Sequence, residues 1–351
     1  MKIHNFSAGP SILPQEVIKK AAEAVLNLDN SGLSLIEISH RSAAFISIMD
    51  EAQNLVKELL NLPEGYSVLF LQGGASTQFL AVAQNLLKKG GKAAYLDTGA
   101  WSAKALKEAK LFGDVEIVAS SKDKNHTYIP KGFSIPADAS YLHLTSNNTI
   151  FGTQIKEFPT TDIPLVCDMS SDIFSRELDF SQFDVVYAGA QKNMGPAGTV
   201  LVIVKDEALG KSGRQIPSML DYQIHASKDS MFNTPPVFAI YTAMETLKWI
   251  KGLGGIKAVE KQNEEKATIL YNEIDSNPKF NGVAEKEDRS LMNVTFTLTN
   301  ENDKTRFNTL AKEAGLSGIN GHRSVGGYRA SIYNAMPIKS VQALVDVMKS
   351  L

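Results

Sequence analysis

The sequence predicts an α/β fold, with a large domain built around a mostly parallel seven-stranded sheet and a small C-terminal α+β domain. Three observations support this prediction. The chain has 351 residues, more than a typical single domain contains. Helical patterns alternate with short apolar runs from about residue 14 to residue 204. Most of these runs lack polar alternation, which is typical of strands covered on both faces.

Seven apolar runs are the candidate strands of the sheet. They span residues 67–71, 93–97, 115–118, 141–144, 165–168, 185–188 and 199–204. Helical stretches between several of them indicate βαβ crossovers and therefore parallel pairing. Only the ten residues 189–198 separate the last two runs. Because they leave no room for a helix, we expect these two strands to pair antiparallel.

Helices and further strands follow from the spacing of apolar residues. Residues 45–59 carry apolar side chains at i, i+3, i+4 and i+7, which predicts an amphipathic helix. A second apolar helix ends at the glycine cluster 252–255, a composition typical of a helix stop and hinge. The rest of the chain predicts helix 256–274, strand 292–298, helix 303–314, strand 329–333 and helix 340–351.

Composition and charge exclude several classes of protein. The 36 Lys+Arg and 38 Asp+Glu give a net charge of −2, which argues against nucleic acid as the main partner. The 43% of hydrophobic residues exclude global disorder. The single cysteine, Cys167, cannot form an internal disulfide, and no set of residues has zinc-ligand spacing, so no metal site is expected. Without a signal peptide or a membrane-length apolar run, we expect a soluble cytoplasmic protein.

Lys192 is the first candidate for chemistry. It follows the strand 185–188 and precedes a Gly/Pro-rich reversal and another apolar strand. A lysine at the carboxyl edge of such a sheet lies where α/β proteins bind ligands, and in a dry cleft its lowered pKa frees the amine for a Schiff base. The alternative is a surface lysine in a turn. Two nucleotide-binding motifs are absent. Residues 210–212 look like the end of a P-loop, but Lys205 stands where its first glycine should be, and no Gly-x-Gly-x-x-Gly follows a strand.

Asp168 ends the strand 165–168, 24 residues before Lys192. A carboxylate there could pair with the pyridinium nitrogen of a cofactor and preserve its electron-sink character. The alternative role is a helix N-cap, for which aspartate is also favoured.

Three further segments follow strand ends. Residues 72–78 combine glycines with small hydroxyl residues at a helix start, where backbone N–H groups can approach a phosphate. Trp101 could stack on a planar ring, and the loop 146–152 offers a hydroxyl group. Each could be an ordinary turn or core feature. Together with the lysine and the carboxylate they describe a pocket for pyridoxal 5′-phosphate (PLP).

At these residues the chain also resembles the phosphoserine aminotransferases, class V fold-type-I PLP enzymes of serine biosynthesis. The resemblance covers nearly the full length and is strongest in residues 5–10, 187–198 and 321–337. It implies an N-terminal arm, residues 1–15, packing with the small domain, a large PLP-binding domain, 16–255, and a small C-terminal domain, 256–351. It also implies a homodimer with active sites at the subunit interface.

The resemblance assigns roles to individual cofactor residues. Lys192 becomes the Schiff-base lysine, Asp168 the pyridinium partner, Trp101 the stacking ring, and Thr149 the contact near the 3-hydroxyl group. The cofactor phosphate is implied to be held by Ala75, Ser76 and Gln191, with Asn233 and Thr234 reaching it from the neighbouring subunit. Some members carry arginine where Ser76 stands, so backbone and hydroxyl donors are expected to matter more here.

Substrate recognition needs cations, because glutamate and phosphoserine each carry two anionic groups. Arginine pairs bidentately with both carboxylate and phosphate. The resemblance gives Arg329 the α-carboxylate, and gives His40 and Arg41, joined by His322 and Arg323 of the neighbouring subunit, the distal anion. The implied reaction is a reversible ping-pong transamination between glutamate/2-oxoglutarate and 3-phosphohydroxypyruvate/O-phosphoserine, with a second role in pyridoxine biosynthesis permitted.

Three alternatives compete with this interpretation. Alanine– or serine–glyoxylate aminotransferases use substrates without a distal anion, which leaves the two His-Arg pairs unexplained. A cysteine desulfurase needs a mobile thiol, whereas Cys167 lies inside an apolar strand. A binding protein that keeps the fold without turnover would be favoured by loss of Lys192 or Asp168, and both are present.

Overall fold

The computed structural model describes residues 3–351 and contains helices and strands along this whole range. The strands are β1 (His4–Asn5), β2 (Tyr66–Leu71), β3 (Lys92–Asp97), β4 (Asp114–Ser120), β5 (Leu142–Thr145), β6 (Asn147–Asn148), β7 (Thr153–Gln154), β8 (Leu165–Asp168), β9 (Val185–Gly189), β10 (Val200–Lys205), β11 (Phe280–Gly282), β12 (Asn293–Leu298), β13 (Leu316–Ser317) and β14 (Tyr328–Ser331). The α-helices are α1 (Gln15–Leu26), α2 (Ala43–Leu59), α3 (Gly74–Leu86), α4 (Ala100–Ala109), α5 (Tyr222–Ala226), α6 (Val237–Gly252), α7 (Gly255–Ser276), α8 (Lys304–Glu313) and α9 (Ile338–Lys349).

The central sheet has seven strands in the order β2-β10-β9-β8-β5-β3-β4. Strands β9, β8, β5, β3 and β4 pair in parallel, whereas β10 pairs antiparallel with both β9 and β2. The mostly parallel seven-stranded sheet is therefore confirmed, as is the antiparallel pairing across the short connection after β9. The parallel strands bring their carboxyl ends to one edge of the sheet.

Two apolar cores cover the two faces of this sheet. Alternate residues of β10 divide between them: Leu201 and Ile203 face the core that includes α2 and α6, whereas Val200 and Val202 face the core that includes α3 and α4. Strand β4 departs from the expected two-sided coverage. It is one of the two edge strands, and its Ile117 is exposed in the single chain.

The predicted helix 45–59 is α2, and its periodic apolar side chains are buried as expected. Its N-cap is Ser42, whose hydroxyl accepts a hydrogen bond from the backbone N–H of Phe45 at 3.4 Å. Helix α6 ends at Gly252, where the glycine cluster predicted a stop. Gly254, with φ +105°, lets the chain turn directly into α7.

The C-terminal part is built on the antiparallel sheet β11-β12-β14, which packs with α7, α8 and α9 around its own apolar core. Phe6 is fully buried in this core, and β1 pairs in parallel with β13. Helix α7 contributes to both parts: Ile256 and Val259 pack in the large core, and Leu270 and Ile274 pack in the small one. Among residues 3–351, no helix is both long and apolar enough to cross a membrane.

Candidate active site

A cavity of about 220 Å³ lies at the carboxyl edge of the parallel strands. Strand ends and the first turns of helices supply its walls, because βα connections meet at this edge. Its lining residues are Gly73, Gly74, Ala75, Ser76, Phe79, Trp101, Thr145, Asn147, Thr149, Asp168, Ser170, Ser171, Gln191 and Lys192. The structure therefore brings seven of the predicted cofactor residues together: Ala75, Ser76, Trp101, Thr149, Asp168, Gln191 and Lys192.

Lys192 follows β9 and extends its amine into this cavity. The Nζ atom donates a hydrogen bond to the Thr149 hydroxyl at 2.8 Å. Burial, helped by the nearby cation of Arg329 and opposed by the charge of Asp168, lowers the pKa of Lys192 to about 8. A substantial fraction of the amine is thus neutral near physiological pH, which is the form that acts as nucleophile or base.

Asp168 lies at the end of β8 and is buried. One carboxylate oxygen accepts a hydrogen bond from the Ser170 N–H at 2.9 Å. Burial raises the pKa of Asp168, whereas the Ser170 hydrogen bonds and the charge of Lys192 lower it. A buried carboxylate is stabilised by a positively charged partner, which a protonated pyridine nitrogen provides.

The first turn of α3 forms the polar end of the cavity. Gly73 and Gly74 have φ +85° and +62°, so the chain enters the helix through a left-handed turn. A Cβ atom on Gly73 would lie 1.9 Å from the Thr77 hydroxyl, so only glycine fits there. First-turn N–H groups have no partners within a helix, and the helix dipole favours an anion at this end. Ala75 and Ser76 present such N–H groups to the cavity.

Trp101 lies in the first turn of α4 and lines the cavity with its ring. Its Nε1 atom is buried without a hydrogen-bond partner. Two cations approach the ring: the Lys192 Nζ is 5.9 Å and the Lys104 Nζ is 4.3 Å from its centroid. An aromatic plate of this kind suits a planar, positively charged ring.

The residues present fit PLP. The cavity combines an amine, a carboxylate, an aromatic plate, a hydroxyl group and a helix N-terminus, each suited to a different part of that molecule. Cys167, by contrast, points into the apolar core and is fully buried, and burial raises the pKa of its thiol. The described residues contain no group of three or more His, Cys, Asp or Glu side chains suited to a metal ion.

Arg329 lies on β14 and does not line the cavity, but its charge is close enough to lower the pKa of Lys192. Its Nε atom is buried and has no hydrogen-bond partner. His322 and Arg323 belong to the loop that precedes β14. Burial lowers the pKa of His322, and the cations Arg329, Arg323 and Lys104 lower it further. Within one chain, His322 therefore lies close to the three cations Arg329, Arg323 and Lys104.

The other predicted residues lie apart from the cavity within one chain. His40 and Arg41 are in the loop before α2, where the Arg41 side chain is exposed. The Thr234 carbonyl accepts a hydrogen bond from Gln72 at 2.7 Å. Asn233 lines a neighbouring cavity of about 290 Å³, which also borders Gly73.

Sequence reasoning missed several residues that line the cavity. Ser170 and Ser171 come directly after Asp168, so their position past a strand end was a usable signal. Asn147 lies in the loop 146–152, and Thr145 directly precedes that loop. From the sequence, this loop was expected to contribute only a hydroxyl group. The contribution of Asn147 and Thr145 depends on how the loop folds back as the β6–β7 hairpin, which the sequence does not specify.

Fold and site together define a PLP-dependent transferase of fold type I, and comparisons with known proteins identify the family. Residues 3–344 match the family Aminotransferase class-V. The chain is 68% identical to the phosphoserine aminotransferase of Flavobacterium johnsoniae, covering 100% of this chain and 99% of that protein. It is 59% identical to that of Parabacteroides distasonis, covering 99% and 98%. The chain belongs to the class-V aminotransferase family, and its cofactor is PLP.

Solved structures agree with this assignment. The phosphoserine aminotransferase from Bacillus circulans subsp. alkalophilus superposes with a TM-score of 0.97 at 46% identity, covering 99% of this chain and 98% of that one. A PLP-bound phosphoserine aminotransferase from Trichomonas vaginalis gives 0.94 at 38% identity, covering 99% and 100%. The resemblance inferred from the sequence motifs is confirmed.

Proposed function

We propose that this protein is a phosphoserine aminotransferase, which exchanges the amino group between glutamate and 3-phosphohydroxypyruvate to give 2-oxoglutarate and O-phosphoserine. The observation that carries the proposal is the convergence of Lys192, Asp168 and the first turn of α3 on one cavity beside Arg329. Full-length relatives that bear this enzyme name support the choice of substrate. The proposed physiological role is serine biosynthesis in the cytoplasm.

Individual side chains hold the cofactor in this proposal. Lys192 would hold its aldehyde group, Asp168 would pair with its protonated ring nitrogen, and Trp101 would stack on the ring and exclude water. Thr149 would contact the 3-hydroxyl side. When bound, PLP draws electrons away from the Cα–H bond of the amino acid and so weakens it.

The phosphate group is assigned to the polar end of the cavity. Ala75 and Ser76 donate N–H groups from the first turn of α3, and Gln191 adds a side-chain donor. Asn233 and Thr234 of the neighbouring subunit are proposed to complete the site.

The chemical step is assigned to the amine of Lys192. With an amino acid bound, the neutral amine of Lys192 would take the proton from the substrate Cα, and the resulting ammonium group would hold that proton and donate it back to carbon. The lowered pKa of about 8 suits this task, since a general base works best when its pKa lies near the operating pH. The hydrogen bond to Thr149 orients the amine.

The substrate's two anionic ends are assigned to two groups of cations. Arg329 binds the α-carboxylate, because its half-buried guanidinium has an Nε atom without a hydrogen-bond partner and lies close enough to the Lys192 amine to lower its pKa. His40 and Arg41 bind the distal carboxylate or phosphate, together with His322 and Arg323 of the neighbouring subunit. This division explains why one site accepts both glutamate and phosphoserine.

A homodimer is the proposed assembly. Met219, Phe232 and Phe238 are large apolar side chains that remain exposed in the single chain, and Met219 lines the same cavity as Asn233. Exposed apolar groups beside predicted site residues are typical of a surface covered by another subunit. We also propose the division into an arm, 1–15, a large domain, 16–255, and a small domain, 256–351, the last two sharing helix α7.

The direct test is to supply the purified holoenzyme with phosphoserine and 2-oxoglutarate and to measure glutamate. We expect glutamate to form with phosphoserine and only slowly with serine, because serine leaves the distal cations without a partner. Equal rates with serine would refute the phosphate-specific function. Alanine with glyoxylate tests the competing class-V activity, and 4-phosphohydroxy-threonine tests the role in pyridoxine biosynthesis.

A further inference from the structure

Buried asparagine side chains join the segment that carries Lys192 to the strand that carries Arg329. Asn193 directly follows Lys192 and is 4% exposed, as is Asn334. The backbone N–H of Asn334 donates a hydrogen bond to the Asn193 Oδ1 at 3.0 Å. The Asn193 Nδ2 lies 3.4 Å from the Ser171 carbonyl, close to the end of β8.

Three hydrogen bonds tie the residues between Arg329 and Asn334 to neighbouring elements. Asn334 comes three residues after β14, the strand of Arg329. Between them, Lys266 of α7 donates hydrogen bonds to the carbonyls of Ile332 at 2.9 Å and Tyr333 at 2.6 Å. The Tyr333 hydroxyl also donates to the carbonyl of Ala8 at 2.7 Å. Because these bonds tie the residues between Arg329 and Asn334 into one packed unit, a displacement of Asn334 is expected to shift Arg329 with it.

We propose that Asn193 is a positioning residue that sets the spacing between the Lys192 amine and the Arg329 guanidinium. This inference rests on the proposed function, which gives the proton transfer to Lys192 and the α-carboxylate to Arg329. The proton is taken from the Cα atom bonded to that carboxylate, so the distance from amine to guanidinium decides whether the amine reaches it. A displacement of about 1 Å from the reactive geometry lowers rates by about 100-fold.

The geometry makes Asn193 suited to this role. Its side chain accepts from the small-domain segment through Oδ1 and lies within donating distance of the Asp168 loop through Nδ2. It therefore contacts the segments of the base, the pyridinium partner and the carboxylate anchor at once. A buried backbone N–H without its acceptor shifts to find another, so losing Oδ1 is expected to displace Asn334.

Asn193→Leu tests the proposal, and Asn263→Leu is the matched control. Asn263 is fully buried, and its Nδ2 donates to the Asn334 Oδ1 at 2.9 Å and to the Ser175 carbonyl at 3.0 Å. Neither of these partners belongs to the segment that carries Lys192. The two measurements are the single-turnover rate with glutamate and the Kd of glutarate, an unreactive dicarboxylate, both on the holoenzyme. Thermal unfolding is followed in parallel.

Asn193→Leu is expected to lower the single-turnover rate by about 100-fold and to change the glutarate Kd by less than about threefold. Asn263→Leu is expected to lower Tm similarly but to keep the wild-type rate. Asn193→Asp retains the acceptor oxygen and is expected to recover at least about tenfold of the lost rate. If the leucine variant is insoluble, Asn193→Ser replaces it with the same expectation.

Three results would overturn the inference: a wild-type rate in Asn193→Leu, an equal loss in Asn263→Leu, or no recovery in Asn193→Asp. Failure of the proposed function would be seen separately, because the wild-type enzyme would then not convert phosphoserine at all.

Discussion

The proposed chemistry depends on two ionisable side chains with different environments, the half-buried Lys192 and the buried Asp168. The amine of Lys192 has a pKa lowered by burial, and the carboxyl group of Asp168 has a pKa raised by burial. Burial disfavours the charged form of each group. A protonated pyridine nitrogen would pair with the Asp168 carboxylate, and an aldehyde would react with the neutral Lys192 amine. The sequence pointed to these two residues because Asp168 ends one buried strand and Lys192 follows another.

The apoprotein should combine with PLP at a pH-dependent rate. Only the neutral amine of Lys192 attacks the aldehyde, so the rate should rise about tenfold per pH unit up to about pH 8 and then level off. Stopped-flow absorbance of the apoprotein mixed with PLP measures this. A midpoint near the ordinary lysine pKa of 10.5 would contradict the environment described. Lys192→Arg is the control and should show no covalent attachment.

Asp168→Asn should retain the cofactor but lower kcat by about 100-fold, since a neutral amide no longer stabilises the proton on the ring nitrogen. Steady-state transamination kinetics with phosphoserine test this. Asp179→Asn, an exposed loop position, serves as the control for substitution of an aspartate. An unchanged kcat in Asp168→Asn would remove the carboxylate from its assigned role.

At the scale of secondary-structure elements, the entry into α3 is the most constrained feature. The sequence marked the segment 72–78 as a phosphate turn, but which glycine is indispensable depends on packing against the next helical turn. Gly73 is crowded by Thr77, whereas Gly74 has no atom within 4 Å of a Cβ position. That difference comes from the structure alone.

Gly74→Ala should cost about 1–2 kcal/mol of unfolding free energy, the usual penalty of a left-handed conformation. Gly73→Ala should cost about 1–3 kcal/mol more, because its Cβ would overlap the β-branched Thr77. Urea unfolding of the two apoproteins measures the difference. Equal losses would show that the contact with Thr77 relaxes without cost.

Helix α7 carries a second feature that sequence patterns do not reveal. The segment is rich in charged residues, so each lysine is expected in solvent, yet Lys266 is 1% exposed. It is buried because the carbonyls of Ile332 and Tyr333, 66 and 67 residues further on, accept its hydrogen bonds. Such long-range partners cannot be read from the helix itself.

Stability should therefore rise with pH above about 7. Burial lowers the pKa of Lys266 to about 7 in the folded state, from a value of 10.5. Between these values the unfolded chain binds more protons, so raising the pH favours folding by up to about 1.4 kcal/mol per unit. Lys266→Met should reduce this slope in urea unfolding by about one proton's worth, most clearly between pH 7 and 8, because the pKa values of Lys192 and Lys156 are lowered only to about 8. Lys261→Met, an exposed position on α7, should keep the wild-type slope; an unchanged slope in Lys266→Met would contradict the assignment.

For the whole molecule, the seven strands, the antiparallel pairing of β9 with β10 and the small C-terminal part were predictable from apolar runs and loop lengths. The strand order was not, because it depends on where each crossover returns: β10 inserts between β2 and β9 through a long-range pairing. The cavity residues could be predicted because they lie at the ends of these strands or on the connections that follow them. The residues assigned to the neighbouring subunit follow from the family resemblance and not from contacts within one chain.

Mixing two inactive variants tests the shared site. If Asn233 and Thr234 serve the cofactor of the other subunit, a Lys192→Ala subunit paired with an Asn233→Ala/Thr234→Ala subunit contains one complete site. Equal mixing should give about half hybrid dimers and so about a quarter of the wild-type activity. Activity assays after co-refolding measure this. No recovery, with hybrid dimers verified by mass, would place those residues at their own subunit's cofactor.

The half-reaction with phosphoserine tests the central claim most directly. The holoenzyme is mixed with phosphoserine alone, and separately with serine alone, while the absorbance of the bound cofactor is followed in a stopped-flow instrument. We predict rapid and complete conversion with phosphoserine, formation of one equivalent of 3-phosphohydroxypyruvate per site, and conversion with serine slower by at least about 100-fold, since the distal cations then lack their anion. Equal rates with the two amino acids, or no spectral change with phosphoserine, would contradict it.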